Sequence, residues 1–457
     1  MRVVGSSVKF AAQSVVLQFE FSDGIAPPGQ EQLSKLGFRN REKVLNGGRV
    51  SVKDRVQPTL DPTGGSAPMK FCSIMNQLLQ FFPRSEFEQD VKTTKAERHA
   101  RGFASWDHFV AMLFCQLADA QSLREITGGL ASCQGRLEHW GMINPPKRST
   151  LAYANQHRPW QLLERVFYRF MDRCRSEVGT KTKFRFKNPL LSIDSSVVTL
   201  ALKMFPWAHW SRQKGAVKLH MMLNHAGYLP EALVITTGRY SELTIARRRQ
   251  YSRGTILLMD KGFIDFNWFA QLNRDGVFFV TRIKDDASYE IVDSRPVAAG
   301  TIVQSDQSIR LTSKHSRKKY TDTLRLITIQ TEEGKTLEFL TNHRTLAAST
   351  IAEVYKDRWQ IEVFFKLLKQ NLKIKSFIGG SANAVWTQIW TAMIAMLLIR
   401  FLKLKAKAAW SFSNLAYFLQ MNLLVFRDLW RWLDEPFTTP PPVPEVSPPS
   451  QLDFSWS

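Results

Sequence analysis

Acid is the scarce charge in this chain: 40 Asp plus Glu stand against 62 Lys plus Arg, a formal net charge of +22 over 457 residues. A surface of that sign repels polycations and favours a polyanionic partner, nucleic acid or an anionic membrane surface. Cysteine is scarce as well. Cys72, Cys115, Cys133 and Cys174 include no Cys-x-x-Cys pair, which excludes a disulfide framework and a zinc knuckle and fits a reducing cytosol. Long apolar runs are missing too: Ile389 to Ile399 stops at Arg400, short of the roughly 20 residues that span a bilayer. It reads as a buried helix, with no membrane partner. Met1-Arg2-Val3-Val4 leads into no long apolar core, so export is not expected.

The length predicts two or three domains. Residues 1–68 are rich in Gly, Ser, Pro and Gln without periodicity and read as disordered, or as an extension ahead of a start near Met69 or Met75. From 76 to 176 apolar residues recur at helical spacing, as in Phe109, Met112, Leu113 and Leu117. This is the candidate DNA-binding domain, with Lys147 and Arg148 just ahead of a helix start. Strands and helices then alternate over 188–284, the first part of an α/β core. Short β runs over 285–346 read as an inserted β subdomain. A second core part covers 347–405, with one long helix expected from Thr350 through Leu372. A helical segment, 406–435, and a Pro-rich tail, 436–457, complete the chain.

Three acids stand at the edges of apolar elements: Asp194 after Leu190-Leu191-Ser192-Ile193, Asp260 after Ile256-Leu257-Leu258-Met259, and Glu362 in Tyr355-x2-Arg358-x3-Glu362-x6-Lys369. A carboxylate at a buried strand end is costly unless a cation or metal compensates it. At about 100° per residue, Tyr355, Arg358, Lys366 and Lys369 all fall within about 40° of Glu362. An acid ringed by cations can be an ordinary ion-pair face. It also suits a metal-bound anion, with Glu362 on the ion and Arg358, Lys369 and Lys366 on phosphate oxygens.

These residues resemble the DDE transposases of the insertion-sequence-four family, whose signature Tyr-x2-Arg-x3-Glu-x6-Lys is complete here as Tyr355, Arg358, Glu362 and Lys369. Ser192-Ile193-Asp194-Ser195 resembles the family's first acidic strand. Lys214-Gly215-Ala216-Val217-Lys218-Leu219-His220 resembles the segment after it, adding Lys214 and Lys218 as DNA contacts. Asp260-Lys261-Gly262-Phe263 resembles the second acidic motif, Asp-Arg-Gly-Tyr. Lys261 keeps the positive charge there without a guanidinium fork, and Ser241-Glu242 stands where relatives often carry His-Asp.

The resemblance implies an RNase H-like α/β core with an inserted β subdomain, behind an all-helical N-terminal domain. It also implies catalysis by Asp194, Asp260 and Glu362 through two Mg2+ ions, with Mn2+ an acceptable substitute. The implied partners are double-stranded DNA, as terminal inverted repeats and target, and a second copy in a synaptic homodimer. Its place is the bacterial cytoplasm, at the nucleoid. The expected reaction is cut-and-paste transposition by hydrolysis and strand transfer. Two rivals are a nuclease of the same fold without strand transfer and an inactive, transposase-derived DNA-binding protein. His209, His220 and His225 lack tight ligand spacing and read as packing or DNA contacts. Trp207 and Trp210 read as core. The cluster Lys314 to Tyr320 reads as a phosphate-contacting loop in which Tyr320 stacks on DNA, or as a solvated turn.

Overall fold

The computed structural model describes residues 72–437 except 99, 101, 134, 179–182, 212–213 and 299. The expectations for 1–68 and 438–457 lie outside the described residues.

The first described stretch is helical: α1 (Ile74–Leu79), α2 (Arg84–Thr94), α3 (Ser105–Leu117), α4 (Leu123–Ser132), α5 (Arg148–His157) and α6 (Gln161–Val178). Local chemistry sets the starts. Ser73 accepts from the Asn76 amide at α1, and Ser122 accepts from the Glu125 amide at α4 while Glu125 reaches back to the Gln121 amide. Asp90, almost fully buried, is neutralised by Arg165 and Arg169 of α6 at 2.9 and 2.8 Å, which ties α2 to α6.

The chain then builds β1 (Leu190–Leu200), β2 (His209–Ser211), β3 (Lys214–Asn224), β4 (Leu229–Thr237), α7 (Glu242–Arg247), β5 (Ile256–Leu258), α8 (Phe266–Arg274) and β6 (Phe278–Arg282). β3 runs antiparallel to β1, whereas β5 runs parallel to β1 and β6 parallel to β5. After these come β7 (Tyr289–Ser294), β8 (Val303–Leu311), α9 (Lys314–Lys319), β9 (Leu324–Gln330) and β10 (Thr336–Thr341). The strands of 285–346 do not form a sheet of their own. β10 pairs antiparallel with β6, so the antiparallel series β10-β9-β8-β7 extends one ten-stranded sheet. A buried fork fastens this extension: Arg325 on β9 makes two hydrogen bonds to Asp306 on β8, at 2.8 and 2.7 Å.

Five helices follow: α10 (Ala348–Asp357), α11 (Trp359–Asn371), α12 (Ala382–Lys405), α13 (Phe412–Asn422) and α14 (Leu429–Asp434). The single helix expected from Thr350 through Leu372 is therefore two, broken at Arg358. α12 is apolar all round, which is the pattern of a buried helix. With 24 residues it is longer than its apolar run suggested, and by length and composition it could cross a membrane. Yet 89% of its apolar window is buried inside the protein. It joins the two halves: Asn383 donates to the carbonyls of Asn155 and Arg158, while Gln388 donates to those of Lys373 and Ser376. The large core around α12 takes in α1, α3 and α6 and one face of β1 and β3.

Candidate functional site

The sheet register sets the segments that lead to the two aspartates side by side. Leu190 pairs with Ile256, Leu191 with Leu257 and Ser192 with Leu258. Asp194 and Asp260 each follow two residues after the last of these pairs, Asp194 within β1 and Asp260 just past the end of β5. The two-residue period puts Asp194 on the face of Leu190, which with Ile256 and Leu258 packs against Val354 and Tyr355 of α10, and the charge of Asp260 reaches the Tyr355 hydroxyl. Each carboxylate is steadied by the next residue's amide: Ser195 N–H donates to Asp194 at 2.7 Å, and Lys261 N–H donates to Asp260 at 2.6 Å. Burial pushes the Asp194 carboxyl up to about 7. The Ser195 amide and the Arg358 guanidinium oppose that rise, and Glu242 and Glu362 add to it.

The break between α10 and α11 positions the third acid. Arg358 Nη2 donates to Glu362 Oε1 at 2.7 Å, and its guanidinium lies 5.4 Å from the centre of the Tyr355 ring. Tyr355 belongs to the helix before the break and faces inward, its ring 4.8 Å from that of Phe339. The uninterrupted stripe expected on one helix is thus corrected. Tyr355 and Arg358 sit under the sheet face, Glu362 follows on the next helix, and Lys366 is exposed. Lys369 donates to the Val197 carbonyl at 2.9 Å, clamping α11 to β1. Burial, and then Lys375, pull its ammonium below the usual value.

The remaining cations divide. Lys214 is exposed. Lys218 is turned inward, donating to the Tyr240 carbonyl at 3.2 Å and pairing with Glu242 at 3.5 Å, so it faces the acids rather than solvent. Lys261 pairs loosely with Asp285 at 3.5 Å. The expected basic loop at 314–320 is instead a short helix, α9, with Lys314, Arg317 and Lys318 exposed. Tyr320 is only 2% exposed and packs in the core with Leu324 and Leu326, so the stacking role expected for it is overturned by burial. Trp207 packs against Trp386 and donates to the Gly380 carbonyl, as core readings predict. Trp210 departs from them: it is 39% exposed and lies across Gly238, where an added Cβ would meet its ring at 2.8 Å.

Chemically the donor set suits a hard divalent cation, because Asp194, Asp260 and Glu362 offer only oxygen. Two buried polar atoms beside them, Tyr355 Oη and Arg358 Nε, have no hydrogen-bond partner. Donors left unsatisfied at such depth are unusual and suit an anion such as a phosphate oxygen. The trio is not gathered as a finished chelate, since Glu362 is engaged by Arg358. Among the described residues no three His, Cys, Asp or Glu side chains are grouped to hold a metal as they stand.

Two features were not legible in the spacing of residues. Glu242, at the start of α7, accepts from Ser195 Oγ at 2.5 Å and is a fourth carboxylate beside Asp194; the unusual Ser241-Glu242 pair was its only signal. His225, set aside as packing, bridges Ser192 and Asp357 at 2.7 and 2.6 Å. The three are far apart in sequence and carry no motif. His220 bonds Thr236 at 2.9 Å, a packing role.

Comparisons with known proteins identify the family. A family profile described as "Transposase DDE domain" matches residues 185–398, and one described as a domain of unknown function (DUF4372) matches 72–143. A Sinorhizobium fredii protein named as a transposase is 33% identical over 272 residues, covering 58% of this chain and 74% of that one. A Geobacillus stearothermophilus protein named as the transposase of insertion sequence element IS5377 is 28% identical, covering 56% of this chain and 67% of that one. A Synechocystis protein named for insertion sequence element IS4SA is 27% identical, covering 54% and 70%.

Proposed function

Because this chain belongs to the family of transposases with a DDE domain, we propose that it excises and reinserts an insertion sequence by metal-dependent cleavage and strand transfer at terminal inverted repeats. The strand order β4-β3-β1-β5-β6, with β3 antiparallel and β5 and β6 parallel to β1, supports reading the core as RNase H-like. One observation supports the site assignment most: Asp194 and Asp260 each stand two residues beyond the paired Ser192 and Leu258, with the charges of Arg358 and Glu362 acting on Asp194 and that of Asp260 acting on Tyr355.

In this reading Asp194, Asp260 and Glu362 would hold two Mg2+ ions, or Mn2+ in their place. When bound, such ions polarise the scissile phosphodiester and activate the attacking oxygen. The protein's own groups place the strand. Arg358 offers its free Nε and Tyr355 its hydroxyl to non-bridging phosphate oxygens. Arg358 is paired with Glu362 at 2.7 Å, so a Glu362 bound to a metal would leave that guanidinium available to DNA. Lys369, Lys366, Lys214 and Lys261 supply positive charge along the flanking backbone. Two copies pair two ends, and the work is done at the bacterial nucleoid.

The test supplies linear DNA carrying both ends of the element with Mg2+. The native protein nicks at the ends and joins pre-cut 3′-hydroxyl ends to a plasmid, whereas Asp194→Ala and Glu362→Gln still bind ends and do neither. Nicking without joining identifies a nuclease; binding without nicking by the native protein identifies an inactive derivative.

A further inference from the structure

Directly beneath the site lies a chain of buried hydrogen bonds. Ser192 Oγ is 2.7 Å from His225 Nε2, and His225 Nδ1 is 2.6 Å from Asp357 Oδ2. An ionised carboxylate can only accept, so Nδ1 donates to Asp357, and Nε2 and the Ser192 hydroxyl share the second hydrogen bond. Tyr228 adds a hydroxyl donor to Asp357 at 3.2 Å, and Lys183 a cation at 3.5 Å. The trio has the chemical form of a hydrolytic triad but not its access: Ser192 is 0% exposed, His225 3% and Asp357 5%. No substrate reaches that hydroxyl.

The ends of the chain show what it joins. Ser192 lies two residues before Asp194 on the same face of β1. Asp357 is the last residue of α10, next to Arg358, where the helix breaks. His225 is anchored independently, its backbone N–H donating to the Leu190 carbonyl at 3.0 Å. Only Arg358 separates α10 from α11, and Glu362 lies one turn beyond it, about 6 Å along the axis. Rotation at the break therefore displaces Glu362 relative to Asp194, and a misplacement of about 1 Å can cost about a hundredfold in rate.

We propose that Ser192, His225 and Asp357 are positioning residues that lock the break between α10 and α11 to the strand carrying Asp194, so that Arg358 and Glu362 stand at a set place over that carboxylate. This rests on the reading of Asp194 and Glu362 as cleavage residues, and its test keeps the two separable.

The full-length protein and its Ser192→Ala, Asp357→Ala and Asp357→Asn variants are compared by three measurements. These are single-turnover nicking in preassembled end complexes, end-DNA affinity without divalent ions, and hydrogen exchange of amides 354–362 in metal-free, DNA-free protein. The two alanine variants slow nicking about 10–100-fold, leave end affinity within about threefold, and speed exchange at 354–362 but not in α3 or α12. Asp357→Asn keeps an acceptor for His225, restores most of the rate, and stands in if the alanine variant does not fold. Nicking at the native rate, or exchange that rises throughout the protein in step with lost activity, overturns the proposal. If the native protein does not nick, the proposed function fails while the exchange pattern still decides this inference.

Discussion

Asp194, inside β1, and Asp260, just past the end of β5, are the same residue in opposite surroundings. Asp194 continues along a strand that runs six residues further, under the packed face of α11, and burial lifts its carboxyl to about 7. Asp260 stands where β5 has already ended, exposed at the head of a short turn, with the Lys261 amide as its cap. Burial thus works against the charge of Asp194, whereas Asp260 is open to solvent. The difference teaches that the cost of burying a carboxylate falls on Asp194, where a bound cation would offset it.

The largest effect tests whether the two acids, unlike in surroundings, are equal in chemistry. Asp194→Ala and Asp260→Ala should each lower Mg2+-dependent nicking at least about 10³-fold. An Asp260→Ala protein retaining a tenth of the native rate breaks that equality.

Stability should separate them. With its carboxyl raised in the folded state, Asp194 binds a proton more tightly there than in the unfolded chain. Its contribution to stability is therefore lost as pH rises from about 4 to about 7. Asn mimics the protonated form. In calorimetry Asp194→Asn should exceed the native protein by about 2–4 kcal/mol at pH 8 and match it near pH 4. Asp260→Asn should stay within about 0.5 kcal/mol throughout.

Metal should then reunite them. At pH 8, Mg2+ at about 100 times its dissociation constant should stabilise the native protein by about 2.7 kcal/mol, read as a rise in Tm, and both Asn variants should lose that rise. The smallest effect concerns the clamp over β1. Lys369→Ala should flatten the salt dependence of end binding by about one phosphate contact, and an unchanged slope removes Lys369 from the interface.

Much of this site was legible in the sequence because its parts are local. Ile256-Leu257-Leu258-Met259 before Asp260 announces a buried strand end, and Tyr355, Arg358, Glu362 and Lys369 lie within fifteen residues. What could not be read depends on distant partners. The break at Arg358 leaves helical backbone on both sides, with φ −50° and ψ −32° at the junction itself. It needs neither Pro nor Gly and so leaves no mark in the spacing. Tyr320 looked like part of a basic turn, and only the packing of β9 behind it shows that its ring is buried. Ser192, His225 and Asp357 meet because β1, the turn after β3 and the end of α10 converge, and no periodicity encodes that meeting.

The most direct test of the central claim, that Asp194, Asp260 and Glu362 share divalent ions, is anomalous scattering from Mn2+ in crystals of the protein bound to its DNA ends. The account predicts Mn2+ between the three carboxylates, with Glu362 turned away from Arg358. Mn2+ bound elsewhere, or Glu362 still paired with Arg358 at saturating metal, would contradict it.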